Sequence, residues 1–196
     1  MEKASRSDAV LIARAKGGDL DAFAELVRTH EHRVRAVLYR LLDDERDVEE
    51  TTQDSFVQAW RNLDRFRGDS AVFTWLYRIA VNEALARLRR KHVPLADLTD
   101  VERIESRAAE AAGDPGRAAE TGELRAFLAG RIRSLPFEHR APLVLRDLAG
   151  LSNQEVADVL DISLSATKSR IHRARMQMRE ELERWERLSG YVDDPE

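Results

Sequence analysis

The chain has 196 residues, 43% of them hydrophobic, 35% charged and 6% aromatic, with a formal net charge of −4. It holds no cysteine, which excludes disulfides and thiolate metal sites. Ala, Leu, Glu and Arg dominate, which favours helix over strand. The five histidines, His30, His32, His92, His139 and His172, form no ligand cluster, so neither a metal nor another cofactor is expected. The first eight residues lack the apolar core of a signal peptide, and no apolar run reaches the length of a membrane span. A soluble, cytoplasmic chain without direct membrane insertion is expected.

Three segments and a tail follow one another. Residues 8–91 carry apolar residues at spacings of three and four, the mark of helices packed on one another. Val10, Leu11, Ala13 and Ala15 give a first helix, and Gly17-Gly18-Asp19 breaks it from a second. That second helix runs through Ala22, Phe23, Leu26, Val27, Val34, Val37, Leu38, Leu41 and Leu42. A polar turn at Asp43-Asp44-Glu45 leads to a third stripe of Val48, Thr52, Phe56, Ala59, Trp60 and Leu63. Arg67-Gly68-Asp69-Ser70 reads as a loop with Ser70 as N-cap. Phe73, Leu76, Ile79, Ala80, Ala84 and Leu88 then form a fourth helix.

Residues 92–121 contain Pro94, Gly113, Asp114, Pro115 and Gly116 and no sustained apolar stripe, so a flexible linker is expected. Residues 122–188 are again helical, beginning with Leu124, Phe127, Leu128 and Ile132. Pro136 ends that helix, and Pro142 is expected near the start of the next. Residues 189–196 are an acidic tail, expected to fray. The fold class is therefore all-α, two small helical domains joined by a flexible linker.

The strongest local signal is the run from Leu151 to Arg175, LSNQEVADVLDISLSATKSRIHRAR. Ser152 and Glu155 have the spacing of a capping box, in which each side chain satisfies the other's backbone N–H. Val156, Val159 and Leu160 give the short helix an apolar face, and small Ala157 permits close crossing. Asp161-Ile162-Ser163 is a short turn with one buried-type residue. A second helix starts near Ser165, a helix-turn-helix layout. At about 100° per residue, Thr167, Ile171, Ala174 and Met178 face inward, while Ser165, Ser169, His172, Arg173 and Met176 face out. Lys168, Arg170, Arg175 and Arg179 flank the outer face. From Ser165 to Arg179 there is no acidic residue, although the chain is acidic overall. Such a helix suits the major groove, with Ser169, His172 and Arg173 toward base edges and the flanking cations on phosphates.

The stretch from Asp43 to Asp54 has the opposite character, with seven carboxylates and one arginine. It repels DNA and suits a basic protein partner. Arg78, Arg87, Arg89, Arg90 and Lys91 on the fourth helix are phosphate candidates. Phe73, Trp75 and Tyr77 invite a role in stacking on bases, but their spacing is explained by packing. Glu49, Glu50 and Asp54 have no histidine or glycine-rich phosphate loop beside them, so an enzyme is not expected.

Two further runs carry a family resemblance. Asp47 to Phe66, DVEETTQDSFVQAWRNLDRF, closely resembles the polymerase-binding signature of extracytoplasmic-function (ECF) sigma factors, the sigma-E-like members in particular. Phe66 to Asn82, FRGDSAVFTWLYRIAVN, resembles their stretch for promoter melting and minus-ten reading, and the helix-turn-helix resembles sigma region 4. The resemblance spans nearly the whole chain apart from the linker and tail. It implies a sigma region 2 domain at residues 8–91 and a region 4 domain, reading the minus-thirty-five element, at residues 122–188. The implied partners are core RNA polymerase, through its β′ clamp coiled coil and β flap, promoter DNA, and an anti-sigma factor.

Residue by residue, the resemblance places Asp47, Glu50, Gln53, Asp54, Gln58 and Trp60 at the polymerase. Asn62, Asp64 and Phe66 fall in the base-capture loop, and Asn82 at the position that helps read a flipped base. Arg67, Arg78, Arg87 and Arg90 accompany them as minus-ten contacts. The chain departs from common usage at Asp161, where many members have glycine; the turn must tolerate Asp, which can adopt a left-handed backbone at some cost. The rival reading is a helix-turn-helix regulator that acts without polymerase, but residues 8–91 offer no ligand pocket or dimer interface for one.

Overall fold

The computed structural model describes the backbone of residues 2–91 and 117–189, and the side chains of residues 7–90 and 122–187. All regular elements among them are helices: α1 (Glu2–Lys16), α2 (Leu20–Leu41), α3 (Glu45–Arg61), a 3-10 turn (Leu63–Arg65), α4 (Val72–Lys91), α5 (Arg117–Ser134), α6 (Phe137–Leu143), α7 (Asn153–Leu160) and α8 (Leu164–Ser189). The expected linker falls mostly outside the described residues, and its last five residues belong to α5. Of the expected tail, residues 190–196 lie outside them too.

Local chemistry sets the breaks. Gly18 takes φ +90 between α1 and α2, and Asp19 accepts the Ala22 N–H at 3.0 Å to cap α2. Asp44 caps α3 by accepting the Arg46 N–H at 2.8 Å. At α4 the helix starts two residues beyond Ser70, and the Ala71 carbonyl takes the Trp75 N–H. Pro142 lies inside α6 rather than near its start. Proline has no N–H to give back along the helix, and the chain continues through a wider π turn, Val144–Leu148.

Helices α1 to α4 bury the stripes read from the sequence, with one change of phase. In α1 the inward residues are Asp8, Leu11, Ile12 and Ala15, while Val10 is 58% exposed. Positions 8, 11, 12 and 15 make the helical stripe, and Asp8 joins it because buried His30 of α2 shares a hydrogen bond with it at 3.1 Å. Phe23 packs edge-on against Trp60 at 4.9 Å. Tyr77 is fully buried, Trp75 leans on Phe66 at 5.0 Å, and Arg33 sits over the Phe73 ring at 5.0 Å. The three aromatics of α4 thus serve packing.

In the second half, α5 and α8 run together through Phe127 against Trp185 at 5.9 Å and an ion pair between Arg131 and Glu181. Helices α6 and α7 both pack against α8. The two halves do not stand apart. One buried cluster contains Leu26, Leu38, Leu76, Tyr77 and Val81 from the first half with Val144, Leu145, Leu151, Val156 and Val159 from the second. Helix α7 rests on α4, and Thr74 donates its hydroxyl to Glu155 at 3.3 Å. Arg140, 6% exposed, reaches across to Asp43 at 3.5 Å and donates to the Arg133 carbonyl at 2.8 Å, but its Nε has no partner among the described residues. Burial lowers its pKa, and Asp43 offsets part of that. The contact between halves therefore combines apolar burial, which favours it, with an incompletely satisfied cation, which does not.

Candidate nucleic-acid interface

The helix-turn-helix forms as its sequence directs. Ser152 accepts the Glu155 N–H at 3.2 Å and the Glu155 carboxylate accepts the Ser152 N–H at 2.8 Å. Burial raises the Glu155 pKa, but the bonds from Ser152 and then Thr74 outweigh it and hold the group below its ordinary value. Asp161 adopts φ 53, ψ 49, the left-handed conformation the turn requires, and the Ala157 carbonyl takes the N–H groups of both Asp161 and Ile162. Ser163 then caps α8 by accepting the Ala166 N–H at 3.1 Å.

Helix α8 separates into two faces. Thr167, Ile171 and Ala174 are buried and Met178 is half-buried, while Ser165, Lys168, Ser169, His172, Arg173 and Met176 are exposed. The Ser165 hydroxyl shares a hydrogen bond with Ser163 at 3.0 Å. Among the described residues Lys168, His172 and Arg173 have no hydrogen-bond or ion-pair partner. The flanking cations differ. Arg175 makes a two-pronged bond to Asp147 at 2.6 and 3.0 Å, which raises its pKa, and half-buried Arg170 lies 3.7 Å from Glu138. In this arrangement both tie α8 to the elements beneath it.

On α4, Arg78 and Asn82 are exposed and four residues apart, so they share one face; Arg89 and Arg90 are exposed near the helix end. The loop expected to capture a base is less open than its sequence suggests. Asn62 donates its amide to the Gln58 carbonyl at 2.8 Å, and the Phe66 ring is buried against Trp75. Asp64 and Arg67 are exposed. Lys16 of α1, which the sequence did not single out, donates to the Phe66 carbonyl at 2.6 Å and pins the loop backbone.

The acidic face lies on α3. Gln53 and Asp54 are exposed, Glu50 and Gln58 are half-buried, and Trp60 packs inward on Phe23. Asp47 is buried. Val57, 46% exposed one turn beyond Asp54, is an apolar group on the same outward stripe. Its one signal in the sequence was a β-branched residue at a position its neighbours leave polar. Arg87, expected as a phosphate contact, instead donates to Asp47 at 3.0 Å and Glu50 at 2.7 Å, with Asp54 at 3.5 Å. Arg87 and then Arg46 hold the Glu50 carboxyl below its usual range. Among the described residues no cluster could hold a metal ion, and no helix is long and apolar enough to cross a membrane.

A capped helix-turn-helix whose cationic face has no partners among the described residues, on a frame whose described elements are all helical, defines a DNA-binding protein. Residues 26–93 match the family model for Sigma-70 region 2, and residues 128–178 that for Sigma-70, region 4. The ECF RNA polymerase sigma-E factor of Escherichia coli is 40% identical over 174 residues, 86% of this chain and 91% of that protein. The RNA polymerase sigma-H factor of Pseudomonas aeruginosa is 37% identical over 86% of this chain and 90% of its own length. Among solved structures, CnrH in complex with the cytosolic domain of CnrY matches with a TM-score of 0.66 and 29% identity, covering 90% of this chain and 97% of that one. RpoE of Bartonella quintana, in complex with the anti-sigma factor NepR, shares the fold with a TM-score of 0.66 at 22% identity over 82% and 96%. The chain belongs to the ECF sigma factors of the sigma-70 family. It is a non-enzymatic transcription initiation factor that acts with core RNA polymerase on promoter DNA, which sets aside the polymerase-independent regulator.

Proposed function

We propose that three surfaces divide the work of initiation. The exposed face of α8, with Ser165, Lys168, Ser169, His172 and Arg173, reads the minus-thirty-five element. The face of α4 bearing Arg78 and Asn82, with Asn62, Asp64, Phe66, Arg67 and Arg90 nearby, reads and opens the minus-ten element. The outward stripe of α3, with Glu50, Gln53, Asp54 and Gln58, docks on the basic β′ coiled coil of core polymerase. The observation that carries this division is electrostatic: the cations of α8 and α4 that lack partners among the described residues are exposed on separate helices, and α3 presents carboxylates.

Reading both elements requires the halves to part. Glu155 touches Thr74, and Arg173 stands only eighteen residues further along α7, the turn and α8, a path of about 35 Å. Elements about 25 base pairs apart lie roughly 85 Å apart on B-DNA. The closed arrangement therefore serves one element at a time, and the incompletely satisfied Arg140 favours release. The residues between α4 and α5 number about 25, long enough to reach roughly 80–90 Å. Work with core polymerase supports a cytoplasmic location for the chain. The proposed regulator is an anti-sigma factor, in line with CnrH forming a complex with the cytosolic domain of CnrY.

Asp54→Lys tests the polymerase surface. The side chain is exposed, so the fold is expected to be unchanged. Association with core is expected to slow about tenfold at low salt, the deficit shrinking as salt rises. Equal affinity at every salt concentration, with an unchanged circular dichroism spectrum, removes α3 from the interface.

A further inference from the structure

The geometry points to Arg87 as a positioning residue for polymerase docking: its guanidinium, held in the α3–α4 seam by Asp47, aims the carboxylates of Glu50 and Asp54 outward at a basic partner segment. The inference rests on the reading of α3 as the polymerase surface and adds a residue that does not itself touch the polymerase.

Asp47, Glu50 and Asp54 stand at positions i, i+3 and i+7 of α3, so they line one face of it. Three carboxylates stacked on successive turns repel one another. Arg87 Nη1 lies 3.0 Å from Asp47 Oδ1 and 2.7 Å from Glu50 Oε2, and Nη2 lies 3.5 Å from Asp54 Oδ2. Burial grades along the row. The Arg87 and Asp47 side chains are 16% and 12% exposed, whereas Glu50 and Asp54 are 43% and 56% exposed. The inner pair is a fixed strut between α3 and α4, and the outer carboxylates are the ones a partner meets. Glu50 Oε1 is held by Arg46 at 2.9 Å, and Asp54 Oδ1 has no partner among the described residues.

The fork of a guanidinium suits this task, because it bonds two or three oxygens in a fixed plane, where an ammonium is a point charge on a flexible stem. The same arrangement disfavours a phosphate contact. A phosphate approaching Arg87 meets Glu50 and Asp54 first, and the donors on both terminal nitrogens are already directed at carboxylates.

The test is a double-mutant cycle on core-polymerase affinity with the full chain. Arg87→Lys, Arg87→Gln, Glu50→Ala and the combinations are compared, with the unsubstituted chain and Asp54→Lys as controls. Arg87→Gln is expected to weaken core binding about tenfold and Arg87→Lys about threefold, each loss shrinking in the Glu50→Ala background, because the nearer of its two outward targets is gone. The salt dependence of holoenzyme binding to promoter DNA is expected to stay unchanged in Arg87→Gln. Unchanged core affinity overturns the inference. So does the same loss in both backgrounds, which marks a purely structural role, or a salt slope smaller by about one in Arg87→Gln, which marks a phosphate contact. If Arg87→Gln does not fold, Arg87→Lys carries the cycle. If Asp54→Lys binds core normally, the docking surface itself is misassigned and the inference falls with it; if Asp54→Lys is defective and both Arg87 variants bind normally, only the inference fails.

Discussion

Asn82→Ala is expected to reduce open complexes at the minus-ten element by about tenfold or more while leaving upstream binding intact. Asn82 is exposed on α4, four residues from Arg78, and has no hydrogen-bond partner among the described residues. Its amide is therefore available to a base, and its removal leaves no buried group unsatisfied. Melting requires a base to leave the stack and enter a protein site, at a cost of a few kcal/mol. Losing a two-pronged hydrogen bond to that base gives up about 1–3 kcal/mol, and each 1.4 kcal/mol is a factor of ten. Permanganate reactivity of thymines at the minus-ten element measures the melted fraction directly, and footprinting reports the upstream element. Normal permanganate reactivity in Asn82→Ala means that another residue holds the flipped base.

Arg173→Ala is expected to flatten sequence preference in the minus-thirty-five element, and Lys168→Ala to weaken binding alike on every sequence. Both side chains are exposed on α8 without partners among the described residues, so neither substitution disturbs packing. Arg173 stands on the exposed face one turn from Ser169, the position proposed for base edges; Lys168 flanks that face, the position proposed for phosphate. A lost bidentate contact to guanine costs about 1–3 kcal/mol of discrimination. A lost phosphate contact carries no base identity and instead reduces the salt slope by about one. Competition binding against a panel of single base-pair changes, at two salt concentrations, separates the outcomes. A uniform loss in Arg173→Ala, with altered preference in Lys168→Ala, reverses the two roles.

Local signals in the sequence carried far. The Ser152–Glu155 capping box, the left-handed Asp161 and the two faces of α8 depend on residues within a turn or two of each other, and all form as their spacing directs. What spacing does not give is the partner across elements. Arg87 and Asp47 are forty residues apart in sequence, and Arg175 and Asp147 twenty-eight. Periodicity shows on which face a cation stands, and only the packing shows that a carboxylate already waits there. Phe66 was expected in a capture loop; its burial against Trp75 was not legible, because it depends on how α4 returns over the loop. Lys16 escaped notice because its target is a backbone carbonyl fifty residues away, which leaves no mark in composition. The contact between halves was hidden for a related reason: Val156 and Val159 read as the inner face of α7, and nothing in their spacing says that this face also meets α4.

The most direct test of the division of labour is run-off transcription by core RNA polymerase from a pooled promoter library, with and without this chain. Transcripts are expected only when the chain is present, from start sites preceded by two shared sequence elements about 25 base pairs apart, the distance that the parted halves span. Binding to those sequences without polymerase is expected to be weak. Strong, specific DNA binding by the chain alone, with no start site that depends on it, would contradict the account.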